Sequence, residues 1–203
     1  MTVITPDRPT TNGEESRAKR LKALTSNVHE GVDRSIMSAA AFASLERYGP
    51  FLEVQYLFHL DADPLYGNAE LQAMLPGLAA RRRLPLVAAD LADLQLNSPE
   101  SGTPVFTHGA AVDVPTALGW LYVAEGSNMG AALLRKEAAK LGLSDAFGAR
   151  HLAPAPDGPA AHWRAFTAAL DAVALDEDAE VRAGQGALAA FERVQALVDA
   201  RRA

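Results

Sequence analysis

A chain of 203 residues, nearly half of them apolar, can bury a substantial core, and no apolar run in it reaches membrane-spanning length. The formal charge of −6 argues against nonspecific binding to nucleic acid and against an anionic membrane surface. There is no cysteine, which excludes disulfides, thiolate metal ligands and thiol nucleophiles.

Residues 1–15, with Pro6, Pro9, Asn12 and Gly13 and no periodicity, read as a disordered tail ahead of a single domain spanning 16–203. Met1 to Arg20 is polar and holds no apolar signal core, so a cytoplasmic protein is expected. A helix follows over Ser16–Met37, with Leu21, Leu24, Val28, Val32 and Ile36 as its apolar stripe. Beside that stripe run Lys22, His29 and Asp33. Lys22 and His29 are two turns apart, about 10 Å along the axis, and Asp33 lies one turn beyond the histidine. Phe42–Leu60 reads as a second helix, ending near Pro64. Short helices are expected over Asn68–Leu75 and Leu78–Leu94, the latter interrupted by Pro85. Asn97–Pro115 carries three prolines, two glycines and no helical period, and reads as a long loop. A long helix over Pro115–Leu141, a Pro/Gly-rich turn over Gly142–Pro159, and helices over Ala160–Ala174 and Glu177–Ala200 complete the chain, with Asp176 as the last helix's N-cap. No strand pattern, repeat or composition break appears. The fold class is all-α.

The long helix is the unusual one. Leu118, Leu121, Tyr122, Met129, Leu133, Leu134 and Leu141 recur at three- and four-residue spacing, yet Gly126 and Gly130 sit in its middle. Glycine inside a helix is unfavourable by about 0.5–1 kcal/mol relative to alanine. Spaced by four, the two glycines bare one patch of backbone, flanked by Ser127 and Asn128. Spacing alone leaves three readings: close packing of a second helix, which leads; a kink; or a flat ligand against the backbone.

The five histidines, His29, His59, His108, His151 and His162, form no His-x-x-x-His or Glu-x-x-His pair, so a zinc or di-iron site is not expected. His29 has the most telling neighbours: a carboxylate at i+4 that can take the second N–H of a metal-bound imidazole, directly or through water, and a cation two turns earlier. His59 is the rival ligand, although a core role suits it better; the other three read as structural or exposed.

Leu21-Lys22-Ala-Leu-Thr25 with Val28-His29, and Trp120-Leu-Tyr122-Val-Ala-Glu125-Gly126-Ser127-Asn-Met-Gly130-Ala-Ala, resemble the bacterial biliverdin-forming haem oxygenases. Gln55-Tyr56-Leu57-Phe58, Pro64-Leu65-Tyr66 and Phe147-Gly-Ala-Arg150-His151-Leu152 are similar to further stretches of that family. The resemblance implies a helical fold holding haem between a proximal and a distal helix. On it, His29 matches the proximal iron ligand, Gly126 and Gly130 the distal glycines, Lys22 a propionate-holding position, and Tyr122 an aromatic hydroxyl near the propionate edge. Many members have aspartate after the first distal glycine to organise water; here Ser127 stands there, as in one bacterial branch. The implied reaction cleaves haem, both cofactor and substrate, to biliverdin, carbon monoxide and ferrous iron. It uses O2 and electrons from a ferredoxin- or flavin-reductase-like donor, and a photoreceptor could accept the biliverdin. A lysine at this position implies the α isomer. The alternatives are a non-catalytic haem-binding or haem-transfer protein on the same fold, and a haem-free helical interaction module.

Overall fold

The computed structural model describes residues 16–201 and consists of seven α-helices with two short 3₁₀ turns. The helices are α1 (Arg17–Ser38), α2 (Leu45–Tyr66), α3 (Ala69–Met74), α4 (Leu84–Asp93), α5 (Val114–Lys140), α6 (Pro159–Ala172) and α7 (Glu177–Asp199). Among the described residues the only β features are isolated bridges of Ser144 with Phe147 and Gly148. None of these helices is long and apolar enough to cross a membrane. The proposed tail, 1–15, lies outside the described residues.

Local chemistry sets most helix starts. Ser16, Ser44, Asn68, Asp113 and Asp176 each accept a hydrogen bond from the backbone N–H three residues on, satisfying a donor that the first turn cannot. Ser44 thus begins α2 three residues after Phe42, where the periodicity alone put the start. The end of α2 also differs from expectation, since the helix runs through Pro64 to Tyr66. Pro64 stands in the last turn, where its missing N–H forfeits one hydrogen bond and little helix remains to be disturbed.

The most extensive helix pairing is α5 against α7, and α1 packs on α7 in turn. The crossing of α5 and α7 depends on glycine. A Cβ on Gly119 would lie 2.5 Å from the Ala187 nitrogen and closer still to the Ala183 carbonyl oxygen, and one on Gly186 would lie 2.9 Å from Thr116 Cα. No side chain fits at either position, so the two backbones touch. Around the crossing lies one apolar cluster, including Leu57, Leu65, Leu118, Leu121, Phe166 and Leu170. A second cluster, with Tyr48, Leu52, Val87, Leu91 and Leu143, joins α2 to α4 and the segment after α5.

Ion pairs fasten the frame. Arg17 is buried; it donates to Glu180 on α7 and to the Leu170 and Val173 carbonyls at the end of α6, which clamps the start of α1. Glu125 is fully buried on α5; it accepts from Arg81 at 2.8 Å and from the Tyr66 hydroxyl at 2.9 Å, while Arg81 also donates to the His162 carbonyl at 3.1 Å. Three segments therefore meet α5 one residue before Gly126. Burial and the neighbouring Glu125 carboxylate hold the Tyr66 hydroxyl protonated, well above its usual pKa.

Candidate active site

Along α5 the environment changes abruptly. From Ala117 to Glu125 every residue is buried, so this half has no solvent face; from Gly126 onward only Ala131 and Ala138 are buried. The apolar stripe drawn through the whole helix therefore fails in its second half, where Met129 and Leu133 are exposed. They are exposed because they border a cavity of about 750 Å³, within the range of small-molecule and cofactor sites. Met37 on α1, also exposed, borders it too. Large apolar side chains grouped at the rim of a cavity mark a binding surface for an apolar ligand.

Both glycines of the patch line this cavity, and no other helix brings its backbone within 4 Å of where their Cβ atoms would stand. A Cβ on Gly130 would meet nothing within 4 Å, and one on Gly126 would make ordinary contact with the Trp163 ring at 3.6 Å. The close-packing reading of the pair is therefore wrong, and α5 continues without a break through it. The close approach that the composition foreshadowed occurs two turns earlier, at Gly119.

From α1 the cavity receives Lys22, His29 and Asp33, as the helical spacing predicts, together with Glu30. Leu24, assigned to the core stripe, is instead half exposed, its tip over Gly184 of α7. The His29 ring rests against Phe191 of α7, with centroids 5.1 Å apart. Its Nε2 is 3.6 Å from the Asp33 carboxylate, beyond a direct hydrogen bond, as the shortness of aspartate implies. Lys22 is the sole lysine or arginine of the described lining. Tyr122 enters from α5, its ring 5.5 Å from that of Trp163, and burial raises its pKa so that it remains a hydroxyl donor. The Ser127 hydroxyl donates to the Ala124 carbonyl at 2.8 Å, which leaves its oxygen lone pairs free to accept.

These features fit haem. A largely apolar cavity has the His29 imidazole on one helix, bare backbone on another and one cation, Lys22, in its lining. No cluster of three or more His, Asp or Glu residues that could hold a metal ion occurs among the described residues.

Comparison with known proteins agrees. The profile of the family described as haem oxygenase matches residues 15–200. The chain belongs to the haem oxygenase family. It is 42% identical over 191 residues to the haem oxygenase PigA of Pseudomonas aeruginosa, covering 94% of this chain and 96% of that protein. It also matches the solved structure of the NO- and CO-bound haem oxygenase of Neisseria meningitidis, with a TM-score of 0.86, 42% identity and 93% of each chain covered. The all-α fold agrees with the sequence reading. As a haem oxygenase, the chain degrades haem, its substrate and prosthetic group, to biliverdin with release of iron, using O2. A non-catalytic carrier on the same fold is not favoured.

Sequence reading missed part of the lining. Phe51, Gln55 and His59 follow one another at four-residue spacing on α2 and all reach the cavity, as does His151 from the turn after α5. His59 is buried, and desolvation, followed by the neighbouring His151 and Arg83, pushes its pKa down to about 3. It is a neutral core histidine at ordinary pH. His108 and His162 lie outside the lining: His108 is 3.3 Å from the buried Asp63 carboxylate, and His162 sits between Glu125 and Asp157. The four-residue spacing on α2 was visible in the sequence, but it was hidden in a helix that is apolar on nearly every side.

Proposed function

We propose that His29 would hold the haem iron, and that Gly126 and Gly130 are the backbone patch that would lie against the haem. What supports this is the convergence of one imidazole on α1 and two unhindered glycines on α5 in a single apolar cavity. Haem, when bound, supplies the iron at which O2 is reduced and the ring that is opened. The protein's own groups do the rest. Asp33, 3.6 Å from Nε2, would orient the imidazole through a bridging water and so strengthen it as a donor. A neutral histidine, unlike a thiolate, does not push electron density toward O–O cleavage. The glycines leave room in the cavity where any Cβ would stand. Ser127, with its hydroxyl proton given to Ala124, offers an acceptor for an ordered water.

Lys22, with the Tyr122 hydroxyl, holds the propionates and so selects the in-plane rotation of the haem, which favours α-type biliverdin. Electrons come from a separate ferredoxin- or flavin-reductase-like protein, and the biliverdin passes to a photoreceptor or is a by-product of iron release. Residues 16–203 act as one unit in the cytoplasm.

Titration with hemin tests the reading. Wild-type protein is expected to give a one-to-one Soret complex that turns over when reduced and then exposed to oxygen. His29→Ala should lose the normal ferric spectrum and turnover while keeping its helical circular dichroism. A native-like spectrum in His29→Ala would move the ligand elsewhere, His59 being next.

A further inference from the structure

Sulfur is scarce in this chain, and it is placed unevenly. There is no cysteine, and of the four methionines Met1 lies outside the described residues. Met74 is half-buried and packs against the larger apolar cluster. The other two, Met37 and Met129, are 60% and 44% exposed, and both line the haem cavity. They reach it from different helices. Met37 stands in the last turn of α1, about two turns beyond His29, and Met129 stands on α5 between the two glycines of the patch.

Chemistry separates these two from the other apolar side chains at the rim. Leu133, one turn beyond Met129 and 59% exposed, presents the same kind of surface with nothing to oxidise. A thioether is polarizable and nucleophilic, and an exposed one takes up an oxygen atom from a peroxide. The activity itself brings O2 and electrons to this cavity. Two electrons and two protons that go to O2 and not into the haem ring give hydrogen peroxide. The exposed sulfur among the described residues is therefore concentrated where the oxidant arises.

We propose that Met37 and Met129 are sites of oxidation by hydrogen peroxide in the haem-free protein, and that their sulfoxides weaken the loading of haem. The sulfur lone pair attacks one peroxide oxygen, the O–O bond breaks, and the other oxygen leaves as hydroxide. The proton of the new S–OH group passes to that hydroxide, so the products are the sulfoxide and water. Sulfur gives up two electrons and peroxide gains them. A flexible apolar side chain thereby becomes a polar one with a strong acceptor oxygen. The apolar macrocycle offers that oxygen no donor, so its hydration is lost without replacement when haem enters. Methionine sulfoxide reductases reverse the change and restore the apolar rim.

The proposal rests on the reading of this cavity as the haem site, and the experiment separates the two. Haem-free protein is treated with hydrogen peroxide and digested, and its peptides are weighed by mass spectrometry. Met37 and Met129 are expected to gain one oxygen each well before Met74 does; oxidation of Met74 first, or at the same rate, would overturn the proposal. Gallium protoporphyrin, a haem analogue without redox-active iron, should protect Met37 and Met129 when bound. Equal oxidation with and without the bound analogue would overturn the proposal, since these side chains would then not meet the macrocycle. Titration of the oxidised protein with hemin should show an affinity lower by about tenfold or more, the scale set by burying one methionine. Unchanged affinity after oxidation would overturn the proposal, as would affinity that methionine sulfoxide reductases A and B fail to restore. The double variant Met37→Leu/Met129→Leu keeps an apolar rim and should bind hemin equally well before and after peroxide. A loss in that variant as large as in the wild type would place the damage elsewhere and overturn the proposal. If the double variant does not fold, recovery of the wild type by the reductases decides. Failure of untreated wild type to bind hemin is a different result, and it would overturn the haem reading together with the proposal.

Discussion

Gly119 and Gly130 lie about three turns apart on one helix, and both lack a side chain, but the space around them is opposite in kind. At Gly119 the backbone of α7 occupies the place of a Cβ, whereas at Gly130 nothing stands within 4 Å. The first glycine is required by the apoprotein's own packing. The second is unfavourable for the helix and faces the open cavity with nothing within 4 Å of a Cβ, which supports the proposal that a ligand lies against it. Small residues in a helix cannot be assigned to packing or to ligand binding by their spacing. The decisive observation is what a methyl group would strike.

The comparison can be broken first at its closed end. Gly119→Leu is expected to destabilise the apoprotein by about 3 kcal/mol or more, since the obstructing atoms are backbone and cannot swing aside. Urea unfolding monitored by circular dichroism would measure it, and near-wild-type stability would mean that α5 and α7 do not cross backbone against backbone at Gly119.

At the open end the expectation reverses. Gly130→Leu should unfold within about 0.5 kcal/mol of the wild type or later, since leucine is the better helix former, yet lose one-to-one hemin binding. Normal hemin binding and turnover by this variant would show that the patch does not face the haem.

A smaller effect should come from the cavity edge. A charge-assisted hydrogen bond contributes about 1.5–3 kcal/mol, enough for a tenfold or greater preference among haem rotations. Lys22→Ala should therefore bind haem through His29 but yield mixed biliverdin isomers, resolved by chromatography. A dominant β or δ isomer from the unmutated protein would show that Lys22 does not set the rotation.

The smallest effect belongs to the cap of the closed half. The Thr116 hydroxyl, with help from its N–H and from Arg182, holds the Asp113 carboxyl below its usual pKa. Its stabilisation is present above the unfolded-state pKa and is lost as pH falls through the lower folded-state value. Asp113→Ala should cost about 1 kcal/mol at neutral pH, and the gap from wild type should close on acidification. Asp113→Asn, which can cap without charge, should lose less and show no such closing. A gap for Asp113→Ala that stays constant with pH would show that the cap acts without its charge.

Much of this molecule was legible locally. The helices of the sequence reading exist, except that Leu78–Leu94 is a 3₁₀ turn over Leu78–Arg81 followed by α4, with Pro85 at the start of that helix and not inside one. Asp176 caps α7, and Lys22, His29 and Asp33 reach one cavity, because helical periodicity and capping depend on residues within about four positions of one another. The tertiary structure alone decided which helical positions are closed. Gly119 and Gly186 could not be told from Gly126 and Gly130 until α5 and α7 crossed. Met129 and Leu133 matched an apolar stripe that the cavity leaves open. His59 and His151, 92 residues apart, share one wall only through the packing of α2 against the segment after α5. Amino-acid order sets the direction of each side chain about its own helix; what lies in that direction depends on which other helix passes there.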